Sequence, residues 1–320
     1  MAVYTHLSAE TLSDLISKYD VGTLISAKGI AEGISNSNWL IETTQGRFIL
    51  TMYERRIDIS ELPYFLNLLD HLAERDCPVP ATIHDRNGAA YSQIDGKAVA
   101  LIEFLPGVSI DTPNTAQAYA VGEALAAIHI ASEDYPARRK NDLRPKDWQG
   151  LFDQCGSDRI AMIDLHLAEI VAEHLPSLLA EWPDDLPVAT IHADLFPDNV
   201  LMLNDRVSGL IDFYFACTDF AAYDLAVTHA AWCFTGDGRV FNPSLSKALI
   251  AGYQSRRILN DAERDALPML GKGAAMRFVA TRTFDWIDTP DDALVTRKDP
   301  MDFARRLQFY AESGADAFSL

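Results

Sequence analysis

Apolar residues recur with two different periods along this chain, and the place where one gives way to the other divides it. Residues 39–42 and 47–52 are rich in β-forming side chains and flank the turn Thr43-Thr44-Gln45-Gly46, which predicts a hairpin. Residues 11–19 read as a short helix. Leu62, Phe65, Leu66, Leu69 and Leu72 repeat at helical spacing, so 62–75 is expected to form an amphipathic helix. Asp95-Gly96 marks a turn, and the apolar run 99–105 ends at Pro106-Gly107.

Beyond that dipeptide the pattern is mainly helical. Val121, Leu125 and Ile128 share one face of 115–131, and further helices are expected over 159–180, 221–233, 244–257, 261–287 and 300–312. The only β-like interruption expected in this part is 200–213. The chain therefore reads as an α+β protein in two lobes: a small β-containing lobe, 1–105, and a larger, mainly helical lobe, 106–320.

Composition narrows the class. The 320 residues carry 46 acidic and 27 basic side chains, a formal net charge of -19. Non-specific nucleic-acid binding needs the opposite balance, because phosphates are neutralised by Lys and Arg. No apolar run approaches the ~20 residues that cross a bilayer. The first ten residues lack the basic-then-apolar order of a secretory signal. Cys77, Cys155, Cys217 and Cys233 are far apart and form no C-x-x-C pair, so four inert thiols in a reducing cytoplasm are expected. The oligomeric state is left open.

The chemistry is concentrated in one segment. It runs His192-Ala193-Asp194-Leu195-Phe196-Pro197-Asp198-Asn199, then the apolar strand 200–203, a polar turn, a second strand 208–211, and Asp212-Phe213. Pairing of the two strands would return the chain beside its start and bring Asn199 next to Asp212, with Asp194 on the loop leading in. Phosphoryl transfer calls for this set: a carboxylate to take the proton of an attacking hydroxyl, and an amide oxygen and a second carboxylate to hold magnesium against nucleotide phosphates. Asp, four residues, Asn, then a later Asp after a strand is the order protein kinases use. His192 would orient the loop through its ring, direct proton transfer being the alternative. Asp224 reads as a helix N-cap or a buried ion-pair partner.

At these residues the sequence resembles the choline/aminoglycoside kinase family, whose pattern H-x-D-x-x-x-x-N followed by I-D-[FW] stands here as H-A-D-L-F-P-D-N and L-I-D-F. The resemblance implies a two-lobed protein-kinase-like fold, ATP and Mg²⁺ as cofactors, Asp194 as the catalytic aspartate, and Asn199 and Asp212 as metal ligands. A closer resemblance, to the homoserine kinases of this kinase-like type, covers nearly the whole chain. It rests on G-I-S-N-S-N-W (33–39), G-R-F-I-L-T-M-Y-E (46–54), T-I-H-A-D-L-F-P-D-N-V (190–200), L-I-D-F-Y-F-A-C-T-D (210–219) and A-L-V-T-R-K-D-P (293–300). It implies transfer of the ATP γ-phosphate to the side-chain hydroxyl of L-homoserine, in threonine biosynthesis.

Against that background the turn-rich stretch 29–38 occupies the place of the phosphate-covering loop, with Ser35, Asn36, Ser37 and Asn38 its expected contacts. Residues 102–105, including Glu103 and Leu105, fall where backbone groups would meet adenine. One departure stands out. Kinases of this fold carry a lysine on the third strand of the small lobe, and here Phe48-Ile49-Leu50 leads to Thr51. The phosphate contact must then come from elsewhere or be weaker: Arg55 or Arg56 could reach inward, or both could be solvated residues at the strand end.

Homoserine offers an ammonium, a carboxylate and a hydroxyl. Asp198 and Asp219 are candidates for the ammonium, and Arg277 and Arg282 for the carboxylate. Two rival readings remain at this stage. One is a kinase of another small alcohol, such as choline, an aminoglycoside or a ribose derivative. The other is a nucleotide-binding pseudokinase, for which Thr51 is the only support.

Overall fold

The computed structural model describes residues 7–30, 36–54, 58–289 and 297–318. The chain folds into two compact units. One comprises Met1–Gly107 with Ser208–Tyr214, the other Val108–Val207 with Phe215–Leu320. A linear reading that cuts the chain at 105/106 cannot see that a later segment returns to the first unit.

Unit one contains α1 (Ala9–Ile16), β1 (Leu24–Ile30), β2 (Asn36–Thr43), β3 (Arg47–Tyr53), α2 (Leu62–Ala73), β4 (Thr82–Ile83), β5 (Ser92–Ile94) and β6 (Lys97–Glu103). The strands form one antiparallel sheet in the order β1-β2-β3-β6-β4, with β5 also on β6. Strand alternation sorts its side chains onto two faces. Trp39, Ile41, Leu50, Met52, Val99 and Leu101 pack with Leu12, Leu15 and Ile16 of α1. Tyr53, Ala98 and Ala100 face Leu62 and Leu66 of α2. Thr51 stands opposite Asn38 on one side and Ala100 on the other, so it belongs to the α2 face. Its hydroxyl donates to Asn38 Oδ1 at 2.9 Å. The position expected to hold a lysine thus holds a short polar pair. The nearby lysine of β6, Lys97, pairs with Glu54, which also accepts from Ser37 Oγ at 2.7 Å.

Unit two contains α3 (Thr115–Ala131), α4 (Pro145–Cys155), α5 (Ser157–Ile163), α6 (Leu165–Glu181), β7 (Val188–Ile191), β8 (Val200–Leu203) and the start of β9 (Arg206–Leu210). These are followed by β10 (Cys217–Phe220), α7 (Ala221–Trp232), α8 (Pro243–Gln254), α9 (Asp261–Asp288) and α10 (Met301–Ser313). The expected helix over 159–180 is two helices. Asp164 breaks it with an extended φ of -160° and then caps α6, accepting from His166 N at 2.8 Å. The expectation that 200–213 is the only β-like stretch here is also corrected, since β7 and β10 pair antiparallel with Ile191 opposite Cys217. Each has only four residues, too few to reveal a period of two.

Helices α3 and α8 approach closely because each presents a glycine to the other. A Cβ on Gly122 would lie 2.0 Å from the Leu249 carbonyl oxygen, and one on Gly252 would lie 2.0 Å from that of Tyr119. No larger residue fits at either position without moving a helix. This approach sets the end of α3 beside Tyr253. No helix among the described residues is long and apolar enough to cross a membrane.

Candidate active site

The loop between β7 and β8 carries His192, Asp194, Asp198 and Asn199, and the helices of unit two hold its first four residues through backbone groups of His192, Ala193 and Leu195. Asp224, in the first turn of α7 and fully buried, accepts from the backbone N–H of His192 and of Ala193, each at 2.7 Å. Ala193 has φ +63°, a left-handed conformation that costs a non-glycine residue roughly 1 kcal/mol. A carboxylate accepting from two successive amides stabilises that bend. The bend in turn directs the next residue, Asp194, away from the path of β7. Farther along, Trp232 Nε1 donates to the Leu195 carbonyl at 2.9 Å.

Asp224 is itself held from behind. His129 of α3 places Nε2 3.0 Å from Asp224 Oδ2 and Nδ1 2.8 Å from the hydroxyl of Tyr253. Arg257 donates to that hydroxyl at 3.2 Å and pairs with Glu263 at 2.8 Å. Glu263 closes the chain by capping α9, accepting from Asn260 N at 3.0 Å. Burial alone would push the Asp224 carboxyl up. The hydrogen bond and charge of His129, with the backbone amide of His192, outweigh it and hold the group below the usual carboxylate range. Sequence reasoning foresaw a buried pairing role for Asp224. It missed His129 and Tyr253, whose only signal is a polar side chain inside an apolar helical run.

Asn199 donates through Nδ2 to the Asp194 carbonyl at 2.8 Å and reaches its Oδ2 at 3.5 Å. The His192 ring accepts the Asp194 N–H at Nδ1, 3.2 Å away, so this histidine orients the loop as an acceptor. Arg277, buried on α9, donates to the Ala193 carbonyl and brings Nη2 to 3.8 Å from Asp194 Oδ1. Its guanidinium lies over the rings of Phe278 and Phe215, at 4.5 and 5.2 Å. Its Nε finds no acceptor among the described residues. Asp194 retains 19% of its side-chain exposure. Burial pushes its carboxyl above the ordinary value, against the opposing charges of Arg277 and Lys298.

The other expected residues divide by unit. In unit one, Ser35, Arg55 and Arg56 lie outside the described residues. Asn36, Ser37 and Asn38 belong to β2 rather than to a turn before it, because the strand begins three residues earlier than expected. Ser37 and Asn38 are tied within the sheet, and the buried Asn36 Oδ1 has no partner among the described residues. Glu103 ends β6, where its N–H donates to the Ala81 carbonyl at 2.9 Å, and Leu105 follows, half-buried. Asp212 is exposed with φ +65°, and two residues on lies Tyr214, whose hydroxyl meets that of Tyr53 at 2.7 Å.

In unit two, Asp198 is exposed on the loop. Asp219 is not open to a ligand. It is 1% exposed and accepts from Arg144, from Asn141 Nδ2 at 2.7 Å and from Phe220 N at 2.8 Å. Arg282 likewise has partners, donating to the Asp299 carbonyl and to Asp302 Oδ2, both at 3.0 Å.

Comparison with known proteins places this geometry. The model of a family described as "Phosphotransferase enzyme family" matches residues 26–263. A homoserine kinase of Gluconobacter oxydans is 51% identical over 97% of this chain and 98% of its own length. Another, of Acidiphilium cryptum, is 48% identical over 99% of both. Among solved structures, a spectinomycin phosphotransferase bound to ADP and spectinomycin superposes with a TM-score of 0.70. That match covers 98% of this chain and 100% of the other at 15% identity, a likeness of fold.

Proposed function

This chain belongs to the phosphotransferase enzyme family, and from that premise we propose that it phosphorylates the side-chain hydroxyl of L-homoserine with ATP. The product is O-phospho-L-homoserine, an intermediate of threonine biosynthesis. The fold is the two-lobed, protein-kinase-like α+β fold of such enzymes.

Asp194 takes the hydroxyl proton as the oxygen bonds to the γ-phosphorus and the bond to the β–γ bridging oxygen breaks, releasing ADP. A carboxyl raised by burial is the stronger base, which suits that role. Asn199, His192, Arg277 and Asp224 keep Asp194 in place, so little reorganisation is left for the reactive moment.

The donor set fits a magnesium ion. The Asn199 nitrogen is engaged on the Asp194 carbonyl, which leaves the amide oxygen for a cation, and Asp212 is an exposed carboxylate. Asn199 and Asp212 would hold the ion, which when bound screens the phosphate charge. Backbone groups near Glu103 and Leu105 would meet adenine, and Ser35 and Asn36 the phosphates.

The loop geometry, with Asn199 engaging Asp194 at 2.8 Å and Asp224 gripping its amides, supports phosphoryl transfer, and the choice of L-homoserine is carried by the likeness to homoserine kinases at 51 and 48% identity over nearly the whole chain. The test is an ATP-consumption assay across L-homoserine, choline, an aminoglycoside and a ribose derivative. The expected result is the highest kcat/KM with L-homoserine and a phosphate ester on its hydroxyl by mass and ³¹P spectra. Preference for any other acceptor overturns the reading.

A further inference from the structure

The basic side chains between Arg277 and Arg306 differ in what already occupies them. Arg277 donates to the Ala193 carbonyl. Arg282 is engaged by Asp299 and Asp302. Arg306 donates to the Thr235 and Gly236 carbonyls at 2.9 and 3.2 Å. Arg297 donates to the Thr289 carbonyl and lies 5.8 Å from the Trp286 ring. Lys298 is the exception. Its side chain is exposed, and among the described residues no carboxylate or carbonyl accepts from its ammonium.

Lys298 is also placed. Its Nζ lies 5.8 Å from the centroid of the Phe196 ring, within cation–π range. Phe196 is two residues from Asp194, and its N–H donates to the Asp194 carbonyl at 2.8 Å. The ring is fixed by Phe278 at 4.9 Å and Phe303 at 5.9 Å. A packed aromatic therefore lies under an exposed ammonium, two residues along the loop from Asp194. The field of Lys298 at Asp194 is one of the influences opposing the rise of its carboxyl.

We propose that Lys298 binds the α-carboxylate of the acceptor and so determines specificity for amino-acid alcohols over plain amino alcohols. The assignment rests on homoserine being the acceptor. In that molecule only a short carbon chain separates the hydroxyl from the carboxylate, so a substrate with its hydroxyl at Asp194 brings its carboxylate into the neighbourhood of Phe196. The same ammonium repels an acceptor that carries an amine and no carboxylate. Selectivity then comes from attraction to one acceptor and repulsion of the other.

The experiment compares L-homoserine with 3-aminopropan-1-ol, the same skeleton without its carboxylate, in wild type, Lys298→Met and Lys298→Arg. Wild type is expected to prefer L-homoserine strongly. Lys298→Met should raise KM for L-homoserine about tenfold or more with kcat little changed, the scale of one charge-assisted contact. Its kcat/KM for 3-aminopropan-1-ol should hold or rise, and Lys298→Arg should recover most of the homoserine affinity. A Lys298→Met enzyme with unchanged homoserine KM, or an equal loss on both acceptors, overturns the assignment. Wild-type protein inactive on L-homoserine overturns the functional reading instead, and this assignment falls with it.

Discussion

Asp224 Oδ1 lies 2.7 Å from the amide nitrogen of Ala193, a residue held at φ +63°. One buried carboxylate thereby stabilises a strained bend next to Asp194. Asp224→Asn keeps the shape but sets an NH₂ group either against the Ala193 N–H or against both the His192 N–H and His129. Leaving one buried donor unsatisfied costs about 1–3 kcal/mol. The variant is expected to melt several degrees lower and to lose at least tenfold in kcat, with KM for ATP little changed. Thermal unfolding beside steady-state kinetics checks it, and a kcat equal to wild type would refute the positioning role.

Tyr253 tests the arm behind that carboxylate. Its hydroxyl meets His129 Nδ1 at 2.8 Å and accepts from Arg257 at 3.2 Å. Tyr253→Phe deletes one oxygen and keeps the ring that packs on His129 at 5.6 Å. Losing these bonds should cost about 1–2 kcal/mol of stability, measured by urea unfolding. If the arm only props the helices, kcat stays constant. The expected result is a severalfold fall in kcat with both KM values near wild type.

Asp194→Asn is expected to abolish turnover while ATP binding, followed by calorimetry, survives. The pH dependence is signed. A base works only when deprotonated, so kcat/KM falls as pH drops through its pKa. Burial raises the Asp194 carboxyl, so the acid limb should lie above the ordinary carboxylate value of about 3.9. Arg277 opposes that rise from 3.8 Å. Arg277→Met should move the limb to still higher pH, and a limb that stays put would remove Arg277 from that role.

Much of this was legible in the sequence because the signals are local. The period-two hairpin at β2 and β3, the amphipathic helix α2, the full span of α3 and the sequence from His192 to Asp212 are each carried by neighbours in the chain. Partnerships across long separations were not. His129 and Asp224 are 95 residues apart, and Arg277 and Ala193 are 84 apart. Nothing in either neighbourhood announces the other. Asp219 misled because an acidic residue near a catalytic loop reads as a ligand for an ammonium, whereas Arg144 satisfies it inside the fold. Thr51 reads as an anomaly in sequence. In the sheet it is half of a polar pair with Asn38.

The helix contact that sets this network up gives another prediction. Gly252 precedes Tyr253 and leaves 2.0 Å between a hypothetical Cβ and the Tyr119 carbonyl oxygen. Gly252→Ala must push α8 away from α3. In an ordinary helix interior the change would stabilise by up to about 1 kcal/mol through propensity. Overpacking of roughly 1–3 kcal/mol should win here, so the variant is expected to unfold at lower urea. Unchanged or raised stability would mean that the helices separate freely.

His229 provides a test of folding rather than catalysis. It is fully buried on α7, between the Tyr310 hydroxyl at 2.7 Å and Ser246 Oγ at 2.8 Å. Burial lowers its pKa to about 3. In the unfolded chain a histidine titrates near about 6.5. Between those values the unfolded state binds a proton that the folded state refuses, so stability rises with pH across that window. His229 therefore costs nothing above about pH 6.5 and destabilises progressively as pH falls toward 3. His229→Gln cannot take up the proton in either state. Its urea midpoint should lie below wild type at neutral pH, through lost packing and altered hydrogen bonds. The gap should then narrow on acidification from pH 7 to pH 5. A gap that stays constant over that range would show that His229 is not the residue making the fold acid-sensitive there.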